Sequence, residues 1–195
     1  MAVQATASPR RVGLFFGSFN PFHNGHLAIV GYMLGWMPLD ELWLVVSPLN
    51  PFKVAHQPAP ATERIAQLER LLAALHEPRL KLCTIELTLP RPSYTIHTLD
   101  ALAARYPDYR FSVILGADCL VDLPRWQGGT RILREYQLLV YPRAMPTPLP
   151  DALAQHPHVQ IVPAPLFDIS STFIREGWAQ GRNMDFFIPP SIARE

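Results

Sequence analysis

Gly17-Ser18-Phe19-Asn20-Pro21-Phe22-His23-Asn24-Gly25-His26 is the stretch that decides how this chain is read. Arg11 to Phe16, before it, is short and apolar, as a buried strand is. Leu27 to Leu34, after it, reads as a helix. The ten residues therefore join a first strand to a first helix. Gly17 and Ser18 are small enough to let backbone amides approach a ligand. The helix that follows turns its unpaired N–H groups back on the loop and favours a phosphate there. His23 and His26 have the i, i+3 spacing that puts them on one helical face. Two imidazoles beside a phosphate donate hydrogen bonds and hold positive charge while negative charge builds on a transferring group.

Taken alone, two histidines three apart also suit a helix start at the surface, or a metal pair, although no third ligand is evident from spacing. No glycine is followed by Lys and then Ser or Thr, and no Gly-x-Gly-x-x-Gly follows the first strand. The usual P-loop kinases and Rossmann dehydrogenases are thereby disfavoured.

Working outward, 195 residues suit one domain with a sizeable core, expected over 10–195 behind a loose tail at 1–9. With 49% hydrophobic and 17% charged residues and a net charge of +1, the composition is that of a globular protein. It has no polybasic run that would point to nucleic acid. No apolar run is long enough to span a bilayer, and the first ten residues lack the pattern of a signal peptide. The two cysteines, Cys83 and Cys119, form no CxxC pair, so free thiols in a reducing cytoplasm are expected, with Cys83 a core residue. Nothing fixes an oligomeric state, and a homo-oligomer stays open.

Strands are expected at 11–16, 42–46, 80–87, 110–115, 137–141 and 159–162. Helices are expected at 24–36, from Thr62 with Ile65, Leu68, Leu71, Leu72 and Leu75 at helical spacing, at 95–106, in short pieces over 118–136, and from Ser170 or Ser171 to about Gln180. A terminal helical turn or two is expected over 186–193. Strands and helices alternate, and most strands are continuously apolar. That pattern predicts a Rossmann-like, doubly wound parallel sheet with helices on both faces. Ligands of such sheets bind beyond the carboxyl ends of the strands, where the winding reverses. The loop at 17–26, Lys53, the Ser93–Thr95 segment, Asp118 and the segment from Ser170 to Arg175 all follow strands or open helices, and are expected to converge there.

Ile169-Ser170-Ser171-Thr172-Phe173-Ile174-Arg175 is the second informative stretch. One hydroxyl at a helix start is a cap. Three in a row, with Arg175 a turn later, suit phosphate, because amides, hydroxyls and a forked cation then face the same point.

These two stretches resemble signatures of the nucleotidyltransferase superfamily that contains adenylyltransferases and class I synthetases. The first is similar to Gly-[Ser/Thr]-Phe-[Asp/Asn]-Pro-x-His-x-Gly-His of nicotinate-nucleotide adenylyltransferases, and the second to the Ile-Ser-Ser-Thr-x-Ile-Arg motif that closes the ATP site. Pro92-Ser93-Tyr94-Thr95-Ile96-His97-Thr98-Leu99 resembles the Ser-Tyr-Thr-Ile-Asp-Thr-Leu segment of the same branch, with His97 in place of Asp. Gly116-Ala117-Asp118-Cys119-Leu120 with Trp126 resembles Gly-[Ala/Ser]-Asp-x-Leu followed by Trp. Lys53 matches the lysine of Pro-His-Lys, with Phe52 standing for His. Phe16 takes the place of a common first glycine, and Asn20 that of Asp.

The resemblance implies adenylyl transfer from ATP to nicotinate mononucleotide, giving nicotinate adenine dinucleotide and pyrophosphate, a step of NAD biosynthesis. It implies His23 and His26 at the α- and β-phosphates. Gly17, Ser18, Phe19, Lys53, Gly116, Asp118, Ser171, Thr172 and Arg175 would hold ATP. Asn20, Ser93, Tyr94, Thr95 and Trp126 would hold the pyridine nucleotide. Mg²⁺ is expected on the triphosphate through phosphate oxygens and water, with no metal site of the protein's own. The rivals are nicotinamide mononucleotide or phosphopantetheine as acceptor, and a nucleotide-binding regulator without turnover on the same fold.

Overall fold

The computed structural model describes residues 8–48, 59–143 and 149–193. Lys53, and all of the expected tail but Ser8 and Pro9, lie outside the described residues. Strand β1 (Arg10–Gly17) leads into helix α1 (Asn24–Trp36), followed by β2 (Glu41–Val46), α2 (Ala61–Leu75), β3 (Leu80–Cys83), α3 (Thr95–Arg105) and β4 (Tyr109–Gly116). The second half runs through α4 (Ala117–Asp122), α5 (Gly129–Glu135), β5 (Gln137–Tyr141), α6 (Asp151–Ala154), β6 (Val159–Ile161) and α7 (Ser171–Ala179).

The six strands form one sheet in the order β3-β2-β1-β4-β5-β6, and every neighbouring pair is parallel. All six residues of β2 are buried, which only a sheet covered on both faces allows. Alternation along the strands divides the core in two. Leu42, Leu44 and Val46 join Ile29, Met33, Leu68, Leu71 and Ile174 on one face. Trp43 and Val45 join Leu99, Leu102, Leu120 and Ile132 on the other. The chain leaves β1 toward the first face and β4 toward the second. The reversal between these adjacent strands opens a crevice at their carboxyl ends.

Some boundaries depart from expectation. The strand expected over 80–87 stops at Cys83, whose partner Val45 is next to last in β2. Ile85–Leu87 then turns as a 3-10 helix and drives Glu86 into the interior. The short helix α6 was not expected. The terminal turns are 3-10 helices at Asp185–Phe187 and Pro190–Ile192. Among the described residues, no helix is long and apolar enough to cross a membrane.

Candidate active site

The loop after β1 is shaped by an aromatic cluster beneath it. Phe19 has φ +47, in the left-handed region that non-glycine residues seldom adopt. Its ring is buried against Phe15, Phe22 and His26, which holds that backbone in place. The same ring lies over Gly17, where an added Cβ would stand 2.6 Å from it. The Phe19 side chain belongs to the core, so what it offers the cleft is its backbone.

His23 is the N-cap of α1 and His26 is its N3 residue, and the two cap reciprocally. His23 Nδ1 accepts from the His26 N–H at 3.3 Å, and His26 Nδ1 accepts from the His23 N–H at 3.2 Å. This is the logic of a capping box, with imidazoles in the places of Ser and Glu. Because both Nδ1 atoms accept, a neutral ring carries its proton on Nε2. The rings stack with centroids 3.7 Å apart. His23 is 4% exposed, and burial, reinforced by the charge of Arg143, pushes its pKa down to about 4. In the free protein His23 is therefore a neutral N–H donor at pH 7.

The opposite wall is the start of α7. Ser170 is its N-cap and accepts from the Phe173 N–H. Ser171 Oγ donates to the Pro21 carbonyl at 2.9 Å. Arg175 donates to the Asn20 carbonyl at 2.7 Å and to Thr172 Oγ1 at 3.1 Å. These bonds stitch the two signature stretches into one wall. Ser171 and Arg175 thus have a structural task in addition to the ligand role expected of them. Arg175 retains guanidinium N–H groups that these two bonds do not use.

At the end of β4, the Asp118 carboxylate accepts from the Cys119 N–H at 3.0 Å and lies 3.8 Å from Arg143 Nε. Sequence reading missed Arg143, whose signal was only a cation just past β5. It also missed Arg64. This guanidinium is 2% exposed and donates to the carbonyls of Ala59 (2.9 Å), Ser47 (3.1 Å), Pro48 (3.4 Å) and Ser18. Among the described residues, no carboxylate pairs with it. Arg64 thus ties the phosphate-loop backbone to the end of β2 and the start of α2. A signal existed, because Arg64, Leu68, Leu71 and Leu75 share one helical stripe, so a cation stands where an apolar residue was due.

The cleft between these walls has a volume of about 540 Å³. Every described residue expected in the site lines it: Gly17, Ser18, Phe19, Asn20, His23, His26, Ser93, Tyr94, Thr95, Gly116, Asp118, Trp126, Ser171, Thr172 and Arg175. Asn20 also accepts through Oδ1 from the Ala59 N–H. His97 Nε2 lies 3.4 Å from the Gln127 amide nitrogen. Among the described residues, no group of three His, Cys, Asp or Glu side chains could hold a metal ion. The donors facing the cleft are amides, hydroxyls, imidazoles and guanidinium groups, which suit phosphates that bring their own Mg²⁺.

Comparison with known proteins agrees with this geometry. Residues 14–177 match the cytidylyltransferase-like family model. A "probable nicotinate-nucleotide adenylyltransferase" of Bacteroides fragilis is 42% identical over 93% of this chain and 89% of its own. One of Flavobacterium johnsoniae is 38% identical over 93% of both chains. Among solved structures, the Plasmodium falciparum nicotinic acid mononucleotide adenylyltransferase complexed with NaAD superposes with a TM-score of 0.76. It covers 94% of this chain and 93% of that one at 16% identity, which speaks to the fold alone. On the matched sequence and the converging signatures, the chain belongs to the nicotinate-nucleotide adenylyltransferase family of cytidylyltransferase-like proteins.

Proposed function

We propose that the protein joins ATP and nicotinate mononucleotide into nicotinate adenine dinucleotide, releasing pyrophosphate. The observation that carries this reading is the pair of Nε2 donors fixed by the His23–His26 capping box, in the same cleft as the amino end of α7 and Arg175. A phosphate oxygen of the mononucleotide attacks the α-phosphorus of ATP in line. As that P–O bond forms, the bond from the α-phosphorus to the bridging oxygen breaks, and pyrophosphate leaves with the electron pair. The nucleophile is already an anion at neutral pH, so no general base is needed. The protein's task is to align two anions and to offset the charge that grows on the reacting phosphoryl group and the leaving pyrophosphate.

Each wall supplies part of this. Gly17, Ser18 and the Phe19 backbone cradle the phosphates, and His26 donates to the oxygens that gain charge in the transition state. His23 donates as a neutral ring. Thr172, the remaining Arg175 N–H groups and the amides of α7 hold the outgoing β- and γ-phosphates, with Ser171 fixing that wall to Pro21. Lys53 adds a cation. Mg²⁺ carried on the triphosphate would neutralise part of its charge. Gly116 and Asp118 seat the adenosine, whereas Asn20, Ser93, Tyr94, Thr95 and Trp126 seat the pyridine nucleotide.

His26→Ala tests the reading. Turnover is expected to fall about 10²- to 10³-fold, the range for removing one transition-state donor, while ATP affinity changes little. A folded variant with wild-type kcat would overturn it.

A further inference from the structure

The cation of Arg64 is buried without an anion. Its guanidinium donates to four carbonyls, and among the described residues no carboxylate pairs with it. Residues 49–58, which follow two of its acceptors in the chain, include no Asp or Glu. Burial lowers its pKa, yet a guanidinium keeps its proton at neutral pH. The carbonyls satisfy its N–H groups but leave its net charge uncompensated. Buried charges are ordinarily paired. Glu41 shows the ordinary case in the same chain: it is buried, and Arg10 and Lys81 lie 2.7 and 2.8 Å from its carboxylate. Arg64 departs from that rule beside a cleft whose other features suit phosphate.

One of the four carbonyls belongs to the loop after β1. Arg64 takes hold of the Ser18 oxygen from behind this loop, for Ser18 and Phe19 line the cleft and Arg64 does not. The Ser18–Phe19 peptide is trans, so its N–H points opposite to its C=O. The bond to Arg64 therefore turns the Phe19 N–H away from the guanidinium and toward the cleft. Among the described residues, nothing accepts from that N–H. A donor fixed on the carbonyl also polarises the peptide and strengthens its N–H. The peptide is held on both sides. Before it, the Gly17 carbonyl accepts from the Ser47 N–H at 3.0 Å, and after it the Phe19 ring is packed in the core.

We propose that Arg64 is a positioning residue for the triphosphate: from behind the loop it aims the Phe19 amide at a phosphate oxygen, and its unpaired charge is answered by the bound nucleotide. The phosphates of ATP are then the counter-ion that the fold omits. This inference rests on the reading of the cleft as an ATP site, and adds to it a residue that acts without touching the ligand.

The test compares the dissociation constant of Mg-ATP, from titration calorimetry, with that of adenosine, from its competition with Mg-ATP. Wild type, Arg64→Met, Arg64→Gln and Arg64→Lys are measured well below the Tm of each. Arg64→Met and Arg64→Gln are expected to weaken Mg-ATP about tenfold or more, the worth of one hydrogen bond to a charged group, and to leave adenosine within about twofold. Arg64→Lys keeps the charge and a donor for the Ser18 carbonyl. It is expected to bind Mg-ATP within about threefold of the wild type although its Tm stays lowered. A merely structural role would not separate the two, because affinity would then follow stability through the series. Should Arg64→Met not fold, Arg64→Gln, which retains an N–H donor but no charge, carries the comparison. Unchanged Mg-ATP affinity in the neutral variants, an equal loss for adenosine, or an Arg64→Lys affinity as poor as that of Arg64→Gln overturns the inference and leaves the functional reading standing. A wild type that binds no Mg-ATP removes both.

Discussion

Lowering the pH should cost this protein a definite amount of stability through one residue. His23 titrates at about 4 in the fold against an ordinary value of 6.5, because burial and the nearby Arg143 charge oppose its protonation. The unfolded chain therefore binds more protons than the folded one between those two values. The sign follows: this contribution to stability is complete above about pH 6.5 and is lost as the pH falls toward 4. A gap of about 2.5 pKa units corresponds to a limiting loss of about 3.4 kcal/mol, of which about 2.5 kcal/mol is reached by pH 4.5. The control is His23→Asn, which keeps a strong helix cap and removes the titration. Urea unfolding of both proteins between pH 7 and 4.5 isolates the histidine, since the other ionisable groups are common to both. Wild type is expected to lose about 2.5 kcal/mol more than the variant over that range. Parallel pH dependences would refute the argument and mean that His23 is solvated or charged in the folded state.

Other perturbations follow from the same geometry. Arg64→Met leaves four carbonyls without their donor. The orphaned acceptors outweigh the relief of an unburied charge, for a net loss of about 3 kcal/mol or a Tm fall of about 6–12 °C. Arg64→Lys should recover less than half of it, because an ammonium group cannot reproduce the fork, and an unchanged Tm in Arg64→Met would show that the loops do not depend on it. In Gly116→Ala the new Cβ would collide with Asp118 Oδ1 and crowd Arg143 Cγ, so both side chains must move. ATP KM is expected to rise about tenfold with little loss of stability, and an unchanged KM would remove Asp118 from the nucleotide seat.

How far the sequence could be read depended on the kind of signal. Continuous apolar runs such as Leu42 to Val46 report burial on both faces directly, so the parallel sheet was legible, and α1 spans the expected residues 24–36. The two signature stretches were legible because their residue types fit one chemistry. What escaped depends on contacts between segments distant in the chain. β3 ends at Cys83, opposite Val45, and the chain then turns into the 3-10 helix at Ile85–Leu87, which an isolated polar–apolar pattern does not reveal. Glu86 looked like one more strand residue, but the early turn buries it in the cleft. Arg64 is one charge on a helix in the sequence, and its carbonyl partners come from three segments that only the fold brings around it. The lowered pKa of His23 depends on burial and on Arg143, which is distant in sequence, so no local pattern announces it.

The central claim is that this cleft moves an adenylyl group onto a pyridine mononucleotide. Pyrophosphate release from Mg-ATP, measured in parallel with nicotinate mononucleotide, nicotinamide mononucleotide and phosphopantetheine, tests it most directly. The account predicts a large kcat/KM preference for nicotinate mononucleotide. A preference for phosphopantetheine, or ATP binding with no pyrophosphate released from any of the three, would contradict it.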